Sequence, residues 1–141
     1  MLYLGADHNG FWLKEELKDY LHRHRISFKD MGAFAHRRTD DYPDFGVKVA
    51  RRIGVGDIGI LICGSGAGVA IVANKFKAVR AATLTNREQA RMARSDEDIN
   101  ILALPADFID FPRAKEIVDA FLTTPFSNAE RHARRLAKIP P

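Results

Sequence analysis

Ile58-Gly-Ile-Leu-Ile-Cys63-Gly-Ser-Gly-Ala-Gly-Val-Ala-Ile-Val-Ala-Asn74 is the stretch whose reading decides the fold. Five of its first six residues are apolar and the run is too short for a helix, so Ile58 to Cys63 reads as a strand buried on both faces. Gly64, Gly66 and Gly68 then alternate with small residues, which lets the backbone turn sharply and approach a ligand closely, and Val69 to Ala73 reads as helix. A strand that feeds a glycine loop and a helix N-terminus offers free N–H groups to an anion. Such a turn alone need bind nothing. Cys63 and Ser65 add a candidate base and a hydroxyl beside those donors.

Outward from this stretch, the pattern alternates between short apolar runs and helical periodicity. Leu2-Tyr3-Leu4 is a strand ending at Gly5-Ala6, followed by the polar turn Asp7-His8-Asn9-Gly10. From Phe11 the positions Phe11, Leu13, Leu17, Tyr20 and Leu21 keep helical spacing, with Lys and Glu on the other face. Ile26 to Phe28 is a weak second strand, and Met31 to Tyr42 is a polar loop carrying His36, Arg37, Arg38, Asp40 and Asp41. Pro43 opens a helix whose apolar positions run to Ile53 before Gly54 and Gly56 stop it. Beyond Asn74, Arg80 to Thr85 reads as a strand, Asn86-Arg-Glu-Gln89 as a capping signature for a helix to about Arg94, and Ile99 to Leu104 as another buried strand. A helix from Phe111 to Thr123 follows, and Ser127-Asn-Ala-Glu130 is a capping box for a last basic helix at about 128–139. Five strands alternating with helices predict an α/β fold with a parallel sheet covered on both faces and ligands at the strands' carboxyl ends.

The chain of 141 residues is expected to form one domain over 1–141. No apolar run approaches ~18 residues and the N-terminus lacks the features of a signal peptide, so a cytoplasmic protein with no membrane association is expected. A single cysteine excludes an intrachain disulfide and a Cys-based zinc site. His22 and His24 face different sides of their helix, so no metal is expected there. The net charge of +4 is modest and much of it lies in Arg131, Arg134, Arg135 and Lys138, a local anion site more than a nucleic-acid surface.

This architecture gathers Asp7, His8, Cys63, Ser65 and the residues after Leu84 and Leu104 along one edge of the sheet. Gly64-Ser-Gly-Ala-Gly68 lacks both the Lys-Ser/Thr of a P-loop and the spacing of a dinucleotide fingerprint. A small phosphorylated metabolite, handled by a base, an oxyanion hole and basic anchors, fits better.

Asp7-His8-Asn9-Gly10-Phe11 with Leu13-Lys14, Asp41-Tyr42-Pro43, Cys63-Gly64-Ser65-Gly66-Ala67-Gly68, Ala73-Asn74-Lys75, Thr124-Pro125-Phe126 and Arg131-His132-Ala133-Arg134-Arg135 occur in this order. Together they resemble the type B ribose-5-phosphate isomerase and galactose-6-phosphate isomerase family over nearly the whole chain. The resemblance implies a three-layer Rossmann-like homodimer with sites between subunits, which leaves open whether dimers pair into tetramers. It also implies cofactor-free aldose–ketose interconversion of a sugar phosphate through an enediolate, with ribose 5-phosphate and ribulose 5-phosphate the favoured pair.

Carried over by motif, Cys63 would move the proton between C2 and C1, and Ser65, where the family usually has threonine, would help open the ring. The amides of Gly64, Gly66, Ala67 and Gly68 would hold the oxyanion. His8, Arg131 and Arg135 would hold the phosphate, Asp7 and Tyr42 the sugar hydroxyls, and Asn74 would belong to the substrate-binding set. The physical chemistry agrees, because a thiol acts as a base only when its surroundings activate it. Asp96 and Glu97 stand where the family has a His-Asn pair that reaches in from the partner, and Asp107 where it commonly has the partner's phosphate-binding arginine. Asp96 is therefore the residue at the ring-opening position. The alternative is a catalytically weak or inactive sugar-phosphate-binding protein of the same fold.

Overall fold

Residues Ile58–Cys63 form the middle strand of a five-stranded sheet whose pairings are all parallel. The computed structural model describes residues 1–141. In chain order its elements are β1 (Leu2–Ala6), α1 (Phe11–Arg23), β2 (Phe28–Asp30), α2 (Tyr42–Ala50), β3 (Ile58–Cys63), α3 (Ala67–Ala73), β4 (Ala81–Thr83), α4 (Arg87–Glu97), β5 (Ile101–Pro105), α5 (Phe111–Thr123) and α6 (Glu130–Leu136). The spatial order is β2-β1-β3-β5-β4.

Strand alternation divides the core in two. Ile60 and Ile62 of β3, with Leu102 and Leu104 of β5, face a cluster completed by Leu13, Leu17 and Leu21 of α1, Ala90 of α4, and Ile117, Val118 and Phe121 of α5. Leu61, Cys63, Ile101 and Ala103 point the other way, against Val49 and Ala50 of α2 and Val69, Ala70 and Ala73 of α3. Both faces of β3 are covered, which is why its sequence runs apolar without alternation. Each large side chain removed from water here, such as Leu17 or Leu61, contributes about 1.5–3 kcal/mol.

Several local expectations need correction. The second strand is Phe28–Asp30, two residues beyond Ile26–Phe28, and its polar end has a reason in α1. Lys14 does not lie on the solvent face of that helix: it is 0% exposed, and its Nζ donates to both Asp30 carboxylate oxygens at 2.7 Å and to the Ala33 carbonyl at 2.8 Å. A buried lysine is tolerated only when paired and hydrogen-bonded in this way, so Asp30 must sit in the strand beside it. α2 stops at Ala50, and Ile53 packs into the core from the turn beyond. β4 is the short Ala81–Thr83, while α4 runs on to Glu97 with Asn86 accepting from the Gln89 N–H at 2.9 Å. β5 is Ile101–Pro105, beginning two residues after Ile99.

The final helix is shorter than 128–139 and does not use the expected capping box. α6 spans Glu130–Leu136 with Ala129 at its N-cap, and the Ser127 hydroxyl pairs instead with His132 Nδ1 at 2.7 Å. No helix is long and apolar enough to cross a membrane.

Candidate active site

The order β2-β1-β3 reverses direction at β1 and β3, so a crevice opens between their carboxyl ends. Ala6 is in register with Ile62, and the Asp7 N–H donates to the Ile62 carbonyl at 3.2 Å. Asp7 and His8 are thereby set beside Cys63 and Gly64 by sheet pairing alone.

Cys63 is buried, and its strand continues into a loop whose Gly64, Ser65 and Gly66 N–H groups have no hydrogen-bond partner in the chain. Gly66 has φ of 74°, the left-handed conformation that lets the loop turn into α3, and its carbonyl accepts from Thr83 Oγ1 at 2.9 Å. Three adjacent amides without a partner are donors available to an oxyanion. The Ala67 N–H is not among them, since it donates to Ser65 Oγ at 3.2 Å. Ser65 is exposed and keeps its own proton to donate.

Tyr42, in the first turn of α2, lies directly on the loop. A Cβ on Gly68 would come within 2.6 Å of the Tyr42 ring, so only glycine permits this contact. Asp7 is buried and its Oδ1 accepts from the Gly10 N–H at 3.1 Å, fixing the turn into α1. Burial pushes its carboxyl above the ordinary value, an effect that the Gly10 bond only partly offsets.

His8 has a partner that sequence reasoning missed. Asp40 Oδ1 accepts from the His8 backbone N–H at 2.9 Å and stands 2.7 Å from His8 Nδ1. The hydrogen bond to Asp40 raises the His8 pKa above the ordinary 6.5. Residues 8 and 40 are far apart in sequence and share no motif, so no local signal marked the pair.

Asp107 lies on the same side. Its N–H donates to the Gly64 carbonyl at 3.0 Å, and a Cβ on Gly64 would meet Asp107 Oδ2 at 2.7 Å and Asn9 Nδ2 at 3.2 Å. Within one chain, then, this carboxylate covers its own glycine loop, a placement the family pattern had assigned to a partner's arginine.

The remaining residues are elsewhere. Asn74 ends α3 at the amino edge of the sheet, where its amide exchanges hydrogen bonds of 2.9 and 2.8 Å with the Ala81 backbone. It ties α3 to β4 and does not face the crevice of its own chain. Asp96 sits in the last turn of α4, which has run roughly 16 Å back from the carboxyl edge at about 1.5 Å per residue. There Ser127 N–H donates to the Ser95 carbonyl at 2.9 Å and His132 Nδ1 stands 3.7 Å from Asp96 Oδ1, fixing α6 beside α4. Arg131 flanks His132, and Arg135 follows one turn later. Arg134 pairs with Glu130 at 2.8 Å, whereas Arg131 and Arg135 are exposed and make no ion pair.

The expected residues thus fall into two groups. Asp7, His8, Tyr42, Cys63, Ser65 and the loop of Gly64, Gly66, Ala67 and Gly68 meet at the carboxyl edge. Asp96 lies in the last turn of α4 beside His132 of α6, the helix that also carries Arg131 and Arg135. After β5, Phe108 is 76% exposed, whereas Phe111 packs on its own core and beside Tyr20.

Comparison with known proteins shows the family and the fold. A family model described as Ribose/Galactose Isomerase matches residues 2–139. The probable ribose-5-phosphate isomerase B of Mycoplasma genitalium is 37% identical, over 98% of this chain and 92% of that protein. The ribose-5-phosphate isomerase B of Mycobacterium leprae is 39% identical, over 96% of this chain and 85% of its own length. Among solved structures, ribose-5-phosphate isomerase B of M. genitalium with bound ribulose-5-phosphate superposes with a TM-score of 0.93 at 36% identity, covering 97% of this chain and 91% of that one. The Clostridium thermocellum ribose-5-phosphate isomerase B superposes with a TM-score of 0.92 at 42% identity, covering 97% and 93%.

Proposed function

The chain belongs to the Ribose/Galactose Isomerase family, and on that premise we propose that it interconverts ribose 5-phosphate and ribulose 5-phosphate without a cofactor. Cys63 is the base. In the forward direction its thiolate takes the proton from C2 of the opened aldose, electrons move into the C1–C2 bond, and the C1 carbonyl oxygen takes the negative charge of an enediolate. Return of the proton to C1, with a proton moving from the C2 to the C1 oxygen, gives the ketose and regenerates the thiolate.

The observation that carries this reading is the juxtaposition, at the β1–β3 crevice, of the lone thiol, three unpartnered loop amides and His8. Donors fixed where charge develops in the transition state are commonly the largest single source of rate. Tyr42 and Asp7 border the sugar, and the Ser65 hydroxyl assists ring opening. His8 holds the phosphate from one side.

The other side comes from a second copy. Arg131 and Arg135 present two unpaired cations from one helix face, and a two-fold dimer brings them to the partner's crevice together with Asp96, the residue at the ring-opening position. The exposed Phe108 is part of the surface such a dimer covers. A cytoplasmic setting belongs to the same reading and keeps the thiol reduced. The test is a coupled assay over pentose and hexose phosphates with Cys63→Ala as control. Turnover confined to the wild type supports the proposal. Binding of sugar phosphates without turnover would instead fit a binding protein of this fold.

A further inference from the structure

Resting on the reading of His8 as a phosphate ligand, we infer that Asp40 is its positioning residue, holding the imidazole so that Nε2 is the one ring nitrogen left for the substrate.

The geometry is specific. One carboxylate oxygen, Asp40 Oδ1, is shared between the backbone N–H of His8 at 2.9 Å and its Nδ1 at 2.7 Å, which fixes both the backbone and the ring of one residue from a loop 32 residues away. A carboxylate only accepts, so Nδ1 carries its proton in both charge states, and a second proton can go only to Nε2. The Asp40 side chain is 14% exposed, and its Oδ2 is buried with no hydrogen-bond partner in the chain. A one-sided buried carboxylate is a poor device for stability, since the unpaired oxygen has lost its water. Its cost is understandable if the residue serves the ring it holds.

Burial opposes the charged imidazole but is outweighed by the Asp40 bond. Asp7, adjacent in sequence and buried, also favours the charged imidazole. His36 has its ring centroid 6.4 Å from that of His8, edge to face, and 6.0 Å from that of the exposed Trp12, on which it stacks. No lysine or arginine side chain is bonded to the pair. The two carboxylates thus keep His8 protonated at pH values where an ordinary histidine, with a pKa of about 6.5, is neutral. A protonated Nε2 donates to phosphate, whereas a neutral one repels it with its lone pair.

The experiment measures KM for ribose 5-phosphate from pH 5.5 to 8.5 in wild type, Asp40→Asn and Asp40→Glu. In parallel, the His8 ring is titrated by NMR with and without inorganic phosphate, with His8→Gln assigning the signals. In Asp40→Asn the KM is expected to stay near wild type in acid and to rise on the order of fivefold to tenfold at the alkaline end, as a charge-assisted bond is lost. The rise should begin near the ordinary histidine pKa of about 6.5, and Asp40→Glu should restore part of the alkaline range. A KM raised by the same factor at every pH would overturn the inference, as would a His8 titration unchanged by Asp40→Asn. If wild type turns over no sugar phosphate, the functional reading fails by itself, while the NMR titration still decides the role of Asp40. If Asp40→Asn does not fold, the wild-type spectrum decides: a neutral His8 with its proton on Nε2 rules the arrangement out.

Discussion

The ring of Tyr42 occupies the space that a side chain on Gly68 would need, with Tyr42 Cε2 only 2.6 Å from the place of that Cβ. α2 and the glycine loop are therefore fitted to each other by the absence of one carbon. Tyr42 is 40% exposed, so a new methyl group can push its ring outward without disturbing the core.

Gly68→Ala is accordingly expected to fold with a small loss of stability, about 1 kcal/mol or less, while kcat/KM falls at least tenfold because the aromatic wall of the sugar site has moved. Thermal melts and steady-state kinetics on one preparation check this. Unchanged kinetics would mean that Tyr42 does not border the substrate.

The proposed sharing of each site between two subunits predicts complementation. Cys63→Ala and Arg135→Met should each be inactive or nearly so as homodimers, the second through a KM raised more than tenfold by loss of a charge-assisted bond of about 1.5–3 kcal/mol. Mixed and allowed to exchange subunits, they should regain up to about a quarter of wild-type activity, because half the dimers are hybrids and each hybrid has one intact site. No recovery, despite demonstrated exchange, would place Arg135 in the same half-site as Cys63.

Much of this was legible in the chain itself, and the exceptions have physical causes. β3 and α5 follow the expected Ile58–Cys63 and Phe111–Thr123 because apolar pattern decides them. β2 slid from Ile26–Phe28 to Phe28–Asp30 because a buried ion pair with Lys14 outweighs apolar content in a short edge strand. Ser127 lost its capping role to a side-chain contact with His132 that no local spacing encodes. The glycine loop and its thiol could be found from residue type, since such turns are local. Asp40 beside His8, and Asp107 over Gly64, come from loops brought together only by the folded sheet. The same holds for Asn74, whose motif gave no sign that its amide exchanges hydrogen bonds with the Ala81 backbone.

The Lys14–Asp30 pair predicts an acid-dependent stability. Burial pushes the Asp30 carboxyl up, but the bonds from Lys14, Lys18 and the Gly32 N–H together bring it below its ordinary value of 3.8. Its stabilisation is thus present above that ordinary value and is lost as pH falls through the lowered one. Asp30→Asn, which leaves Lys14 buried without its main counter-charge, should cost about 3–5 kcal/mol near neutral pH. In denaturant melts from pH 7 to 3 the gap between variant and wild type should narrow at the acid end. A gap independent of pH would show that packing, not charge, holds this corner.

The most direct measurement is the rate of ribose 5-phosphate isomerisation by Cys63→Ala, with circular dichroism and sedimentation confirming that fold and assembly match the wild type. Removal of the base should lower kcat by roughly 10²–10⁴-fold with little change in phosphate affinity, since His8, Arg131 and Arg135 are untouched. A variant that isomerises the sugar phosphate as fast as the wild type would contradict the assignment of proton transfer to Cys63.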